Sequence, residues 1–155
     1  MSLEPGDRLP ELALAANGGR SIALHKDYKG KKLVVYFYPK DNTPGCTLEG
    51  QDFTRLYQDF ARAGADIVGI SRDSVKSHDN FCEKFGFPYA LLSDADEAAC
   101  DAFGTIVEKI NYGRKYLGID RSTFLFDAKG VLRQVWRKVK VKGHAEKVLE
   151  AAKAL

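Results

Sequence analysis

The sequence predicts an α/β protein: a three-layer sandwich whose mixed central sheet carries helices on both faces and opens with an N-terminal β-hairpin. Three observations predict it. The middle of the chain alternates between strand and helix periodicity. One strand candidate, Leu33-Val-Val-Tyr-Phe-Tyr38, is apolar at every position, as strands covered on both sides are. Turn signals at Asn17-Gly18 and Asp127-Ala-Lys-Gly130 each separate two strand-like runs.

The elements follow in order. Pro5-Gly6 and Pro10 exclude a helix at the start. Leu12-Ala-Leu14 and Ser21-Ile-Ala-Leu24 flank Asn17-Gly18 and form the entry hairpin. Tyr28–Lys32 is a solvated connector, and Pro39 ends the strand Leu33–Tyr38. From Gly45 to about Ala63 the period changes. Phe53, Leu56, Tyr57 and Phe60 fall on one helix face, and Gly64 is the stop. Asp66-Ile-Val-Gly-Ile-Ser71 is a second buried strand. Ser71, Asp73 or Ser74 caps a helix from Val75 to Phe85, which Gly86 and Pro88 end. His78, Phe81, Cys82 and Phe85 mark its apolar stripe. Tyr89-Ala-Leu-Leu92 is a short strand, and Asp94 caps a helix over Glu97 to Phe103. Ser122–Phe126 and Val131–Trp136 form a late hairpin, and Ala145, Val148, Leu149 and Ala152 mark a closing helix. The order is thioredoxin-like at its centre, and the late hairpin adds an antiparallel edge.

At 155 residues the chain reads as a single domain, 1–155, long enough to bury a core. A net charge of +3 does not point to nucleic acid or to a membrane surface. The N-terminus lacks the apolar core of a signal peptide and no run is long enough to span a membrane, so the expected location is cytoplasmic. Cys46, Cys82 and Cys100 make an odd count, a poor disulfide framework. Cys100, after Ala98-Ala99, reads as buried packing. His25, His78 and His144 lack ligand spacing with the cysteines, so no metal is expected. The basic run Arg137-Lys-Val-Lys-Val-Lys142 reads as the solvated face of an edge strand.

The chemistry gathers at Pro39-Lys-Asp-Asn-Thr-Pro-Gly-Cys46, where a buried strand hands over to a helix. The free N–H groups of a helix N-terminus stabilise an anion, and the thiolate is the reactive form of cysteine. Reduction of an O–O bond needs such a thiolate, a cradle for oxygen, and donors for the departing oxygen. Cys46 supplies the sulfur, Thr43 a hydroxyl, and the backbone around Gly45 an anion-binding concavity. Pro39 and Pro44 stiffen the loop. Arg121, before the strand Ser122–Phe126, supplies a cation on the same sheet edge.

Pro39-x-x-x-Thr43-x-x-Cys46, with the distant Arg121-Ser-Thr-Phe124, resembles the peroxiredoxins. The longer stretch Tyr36–Glu49 looks like their PrxQ branch, also called bacterioferritin comigratory protein. The resemblance spans the chain and implies a thiol-dependent peroxidase acting on hydrogen peroxide and organic hydroperoxides. By it, Cys46 is the peroxidatic cysteine, Thr43 orients the peroxide, Arg121 stabilises the thiolate and transition state, Pro39 and Gly45 shape the pocket, and Glu49 positions an arginine. Many members carry a second cysteine five residues after the first; here that position is Gln51. A second pattern in the branch puts the resolving cysteine in the next helix, which implies Cys82 and a redox disulfide Cys46–Cys82. Forming it requires both helices to open locally, since a disulfide needs Cα atoms within roughly 7 Å. Thioredoxin, or glutaredoxin, is the implied reductant, with no cofactor because sulfur carries the redox change. Members of the branch are often monomers. Two other readings stay open from the residues. A thioredoxin-type thiol–disulfide oxidoreductase is opposed by the lack of C-x-x-C. A redox-sensing or holdase-like binding protein would use Cys46 as a sensor.

Overall fold

A computed structural model describes residues 2–155 of the chain. The entry hairpin pairs β1 (Ala13–Ala16) with β2 (Arg20–Ala23) across a 3-10 turn at Asn17–Gly19. Then come α1 (Leu24–Asp27), β3 (Lys32–Phe37), α2 (Pro44–Arg55), α3 (Tyr57–Arg62), β4 (Ala65–Ser71), α4 (Val75–Phe85), β5 (Ala90–Ser93) and α5 (Ala98–Phe103). A second hairpin, β6 (Ile106–Asn111) with β7 (Arg114–Ile119), precedes β8 (Ser122–Phe126), β9 (Leu132–Trp136) and α6 (His144–Lys153).

Seven strands form one sheet in the order β2-β1-β5-β4-β3-β8-β9. The central β5-β4-β3 pairings are parallel; β8 and β9 extend one side antiparallel, β1 and β2 the other. The apolar run of β3 serves two cores. Leu33, Val35 and Phe37 point to one, shared with Phe103, Phe124 and Phe126. Val34, Tyr36 and Tyr38 point to the other, with Phe53, Phe60, Phe81 and Val148. Side chains alternate across a strand, so a strand covered by helices on both faces is apolar throughout. The predicted sandwich, hairpin and helix order are therefore observed.

Three local expectations are corrected. The helix read over Gly45–Ala63 is broken at Leu56, whose φ of −95° and ψ of 2° leave the helical region. The break turns α3 along the sheet: Phe60 stays buried while the Tyr57 hydroxyl donates to Asp66 Oδ1 at 3.0 Å. The β6–β7 hairpin was not anticipated. It lies outside the main sheet and turns at Tyr112-Gly113, both with positive φ. Ile110, Tyr112, Tyr116 and Leu117 are exposed there and only the base of the ribbon, at Ile106 and Ile119, meets the core, so most of it lacks the buried face that marks a strand in sequence. The basic run is a loop rather than an edge strand, for β9 ends at Trp136. Arg137, though exposed, donates to the carbonyls of Gly104 and Phe103 with its guanidinium 5.3 Å from the centre of the Phe124 ring, and Lys138 takes a positive φ of 48°.

Ser74 is the N-cap of α4, accepting from the Ser77 N–H, and Gly86 ends that helix in the left-handed region. Asp94, fully buried, accepts from the N–H groups of Ala99 (2.9 Å) and Cys100 (2.8 Å) at the start of α5. Asp94→Ala strands both donors in the core and is expected to cost about 2–4 kcal/mol. Urea denaturation checks this; a loss under about 0.5 kcal/mol, typical of surface changes, would contradict the cap. No helix among the described residues is long and apolar enough to cross a membrane.

Candidate active site

The sheet register builds the site. Ser122 pairs with Phe37, so Arg121 falls beside the end of β3, where the loop to Cys46 departs. That loop closes on itself: the Thr43 hydroxyl donates to the Lys40 carbonyl at 2.8 Å, and Thr43 is the extended N-cap of α2. Pro44 occupies the first helical turn, where its missing N–H costs nothing. Cys46 therefore sits in that first turn, among N–H groups with no intrahelical partner.

Arg121 joins the two parts. Its Nη2 donates to Cys46 Sγ at 3.3 Å and its Nη1 to Glu49 Oε1 at 2.6 Å. Cys46 and Glu49 are three residues apart on α2 and so share a helix face. One planar guanidinium can then span both. Gly45 makes the approach possible: a Cβ there would lie 3.2 Å from Arg121 Nη2. Cys46 is 2% exposed and the Glu49 side chain 1%. Burial pushes the Glu49 carboxyl up to about 7 against the opposing pull of Arg121, and its Oε2 has no partner among the described residues. The Arg121 guanidinium is held above its ordinary range: burial pulls it down, but Glu49 and Cys46 outweigh that. Arg121 is anchored from behind as well, its carbonyl accepting from the Val139 N–H at 2.9 Å.

Thr43, Gly45, Cys46, Glu49 and Arg121 are thus gathered beyond the carboxyl end of β3, and Pro39 lies two residues past that strand's last residue, Phe37. Cys82 is on α4, half-buried, and all three cysteines are free. Burial, then the charges of Asp41 and Asp79, push the Cys82 thiol up to about 11. Cys100 is a buried residue of α5, its thiol pushed up to about 12, chiefly by burial. Sequence reasoning missed a buried polar cluster behind the loop, made by Asp41 with Tyr38, Ser77 and His78. Its signal was faint: an acid inside the Pro39–Cys46 loop, and a histidine one helical turn before Cys82.

The AhpC/TSA family profile matches residues 5–135. The chain belongs to the AhpC/TSA family. It is 58% identical over 144 residues to Peroxiredoxin Bcp of Xanthomonas campestris pv. campestris, covering 93% of this chain and 89% of that protein. A solved structure of the X. campestris bacterioferritin comigratory protein, studied for alkyl peroxide reduction, superposes with a TM-score of 0.90 at 54% identity, covering 97% of this chain and 98% of that one. Two cysteine-to-serine mutants of X. campestris Peroxiredoxin Q superpose with TM-scores of 0.90 and 0.91 at 54% identity, each covering 98% of this chain and 98% and 99% of theirs. Their two mutated cysteines are as far apart in sequence as Cys46 and Cys82. The AhpC/TSA chain described here is accordingly a peroxiredoxin of the Bcp/PrxQ branch, and peroxiredoxins of this branch are thiol peroxidases.

Proposed function

We propose that this peroxiredoxin, acting as one domain, reduces hydrogen peroxide and organic hydroperoxides at Cys46 and resolves the product through Cys82. The observation that carries the reading is the Arg121 fork between Cys46 Sγ and Glu49. A cation donating to the sulfur stabilises negative charge on it and stands ready for the charge that develops on oxygen. Thr43 has spent its proton on Lys40, so its lone pairs accept from the peroxide O–H. The Cys46 thiolate attacks one peroxide oxygen. An S–O bond forms, the O–O bond breaks, and the released oxygen leaves as water or alcohol after taking a proton. Cys46 is then a sulfenic acid.

Cys82 is the resolving thiol in this reading. The support is its place on the helix after β4 and the matching spacing of the cysteines replaced in the X. campestris protein. Both thiols are free in the compact structure and Cys82 is shielded on α4; in this reading α4 and the first turn of α2 open for the bond to form. Thioredoxin is the proposed reductant, with glutaredoxin as the alternative, and the protein acts as a cytoplasmic monomer.

A non-reducing peptide map after one equivalent of peroxide is expected to show a Cys46–Cys82 disulfide. Turnover with thioredoxin and its reductase is expected to vanish in Cys46→Ser and to fall strongly in Cys82→Ser. An active Cys46→Ser protein would overturn the site, and full turnover by Cys82→Ser would return the enzyme to a one-cysteine cycle.

A further inference from the structure

The missed polar cluster joins the two halves of the proposed redox pair. Asp41 lies in the loop five residues before Cys46, and His78 lies one helical turn before Cys82. Both are buried, at 7% and 0% exposure. His78 Nδ1 is 2.7 Å from Asp41 Oδ2, and its Nε2 is 2.9 Å from the Leu92 carbonyl. Asp41 also accepts from the hydroxyls of Tyr38 (2.6 Å) and Ser77 (2.8 Å). The Asp41 N–H in turn donates to Asp73 Oδ2 at 2.9 Å. The contact is therefore a closed, buried hydrogen-bond cluster between loop and helix. Beside it a cavity of about 400 Å³ opens between the two, lined by Asp41, Asn42, Ser77, Phe81 and Lys84 among others.

We propose that Asp41 and His78 form a latch that holds α4 shut against the Cys46 loop and so sets the rate at which the sulfenic acid is resolved. A buried polar contact adds only modest net stability when made, yet either half left unpaired in the core is costly. Such a contact favours two discrete states, closed or released, over gradual loosening. Resolution itself joins the sulfurs: the S–S bond forms, the Cys46 S–O bond breaks, and the Cys82 proton leaves with that oxygen as water. None of this proceeds while α4 is closed. Asp41 acts twice here, since its charge also helps to keep the Cys82 thiol protonated. Release of the latch removes a geometric barrier and an electrostatic one together. A latch that holds long gives a second peroxide time to convert the sulfenic acid to sulfinic acid. The gate rests on the assignment of Cys82 made above.

The test compares wild type with His78→Gln and Ser77→Ala, which leave Cys46, Thr43, Glu49 and Arg121 in place. Amide exchange over Val75–Phe85 in the reduced protein is expected to accelerate roughly five- to thirtyfold in His78→Gln, and less in Ser77→Ala. Disulfide formation after one equivalent of peroxide is expected to accelerate in parallel, and the sulfinic fraction at excess peroxide to fall. The bimolecular rate of Cys46 oxidation should stay within about twofold of wild type, which a general loosening of the site would not allow. If His78→Gln does not fold, Ser77→Ala, which removes one half-exposed hydroxyl, carries the test. Unchanged exchange in the folded variants, or faster exchange with unchanged disulfide formation, overturns the gate. A wild-type peptide map lacking the Cys46–Cys82 pair sinks the Cys82 assignment instead, so the two failures are told apart.

Discussion

Arg121→Ala is expected to slow the reaction of Cys46 with hydrogen peroxide by about 10²–10³-fold, the usual consequence of losing one donor aimed at transition-state charge. The geometry argues for the upper part of that range, because one side chain donates to the sulfur and is the only charge partner of Glu49 among the described residues. Removing it also leaves a carboxyl in the core at 1% exposure. Loss of one partner of a buried pair commonly costs about 3–5 kcal/mol. Here the cost is smaller, since Glu49 already sits at about 7 and escapes by taking a proton. The variant should therefore fold and still react slowly. Arg121→Lys tests the fork itself. A single ammonium keeps the charge but cannot present two parallel donors to sulfur and carboxylate. Its rate is expected to lie between, about 10–10²-fold below wild type. Stopped-flow measurement of a single turnover, with peroxide in excess and no reductant, reads this step apart from resolution. A rate for Arg121→Ala within about threefold of wild type would remove the guanidinium from the mechanism.

Why the site was largely legible follows from where its information lies. Pro39, Thr43 and Cys46 belong to one loop, so their spacing alone fixes their neighbourhood. Arg121 is 75 residues away from Cys46 in sequence, yet it opens a strand, and strand register is a rule that carries a residue to a predictable edge. The framework was legible for the same reason: β3 and the faces of α4 and α6 are periodic because they are buried. The misses share the opposite property. Most of the β6–β7 ribbon has no buried face, so its pattern carries little core signal. The loop after Trp136 looks like a strand by alternation, but the pull of the Gly104 and Phe103 carbonyls on Arg137 is invisible in sequence. The Asp41–His78 pair escaped because each residue alone reads as ordinary, and only the fold brings an acid of the loop within 2.7 Å of a ring on α4.

The stability of the reduced protein is expected to be nearly flat between about pH 4.5 and 6.5, and to become steeply pH-dependent when Glu49 is replaced by glutamine. Two buried groups pull in opposite directions. Burial raises Glu49 from 4.5 to about 7. Below 4.5 both folded and unfolded chains hold the proton, and the contribution is whole. As pH rises the unfolded chain ionises first, so stability falls until the folded carboxyl ionises near 7. At 1.36 kcal/mol per pH unit the loss is roughly 3 kcal/mol. His144, 5% exposed, is lowered from 6.5 to about 4 by burial, with Lys147 and Arg121 acting the same way. Above 6.5 it is neutral in both states. As pH falls toward 4 the unfolded chain takes a proton that the folded ring refuses, and a further loss of roughly 3 kcal/mol follows. The windows overlap and the slopes cancel. Glu49→Gln leaves only the histidine slope, so that variant should gain about 3 kcal/mol from pH 4 to 6.5, while His144→Gln should instead lose stability from pH 4.5 to 7. Urea denaturation at half-unit steps in reducing buffer reads all three curves. Parallel curves for wild type and Glu49→Gln would show that the carboxyl is not strained by its burial. The same variant should react more slowly with peroxide even where it is the more stable protein, because a glutamine amide holds Arg121 less firmly than a carboxylate does. Glu49 then stands as a charge kept in the core at a cost in stability, placed where it fixes the guanidinium against the sulfur.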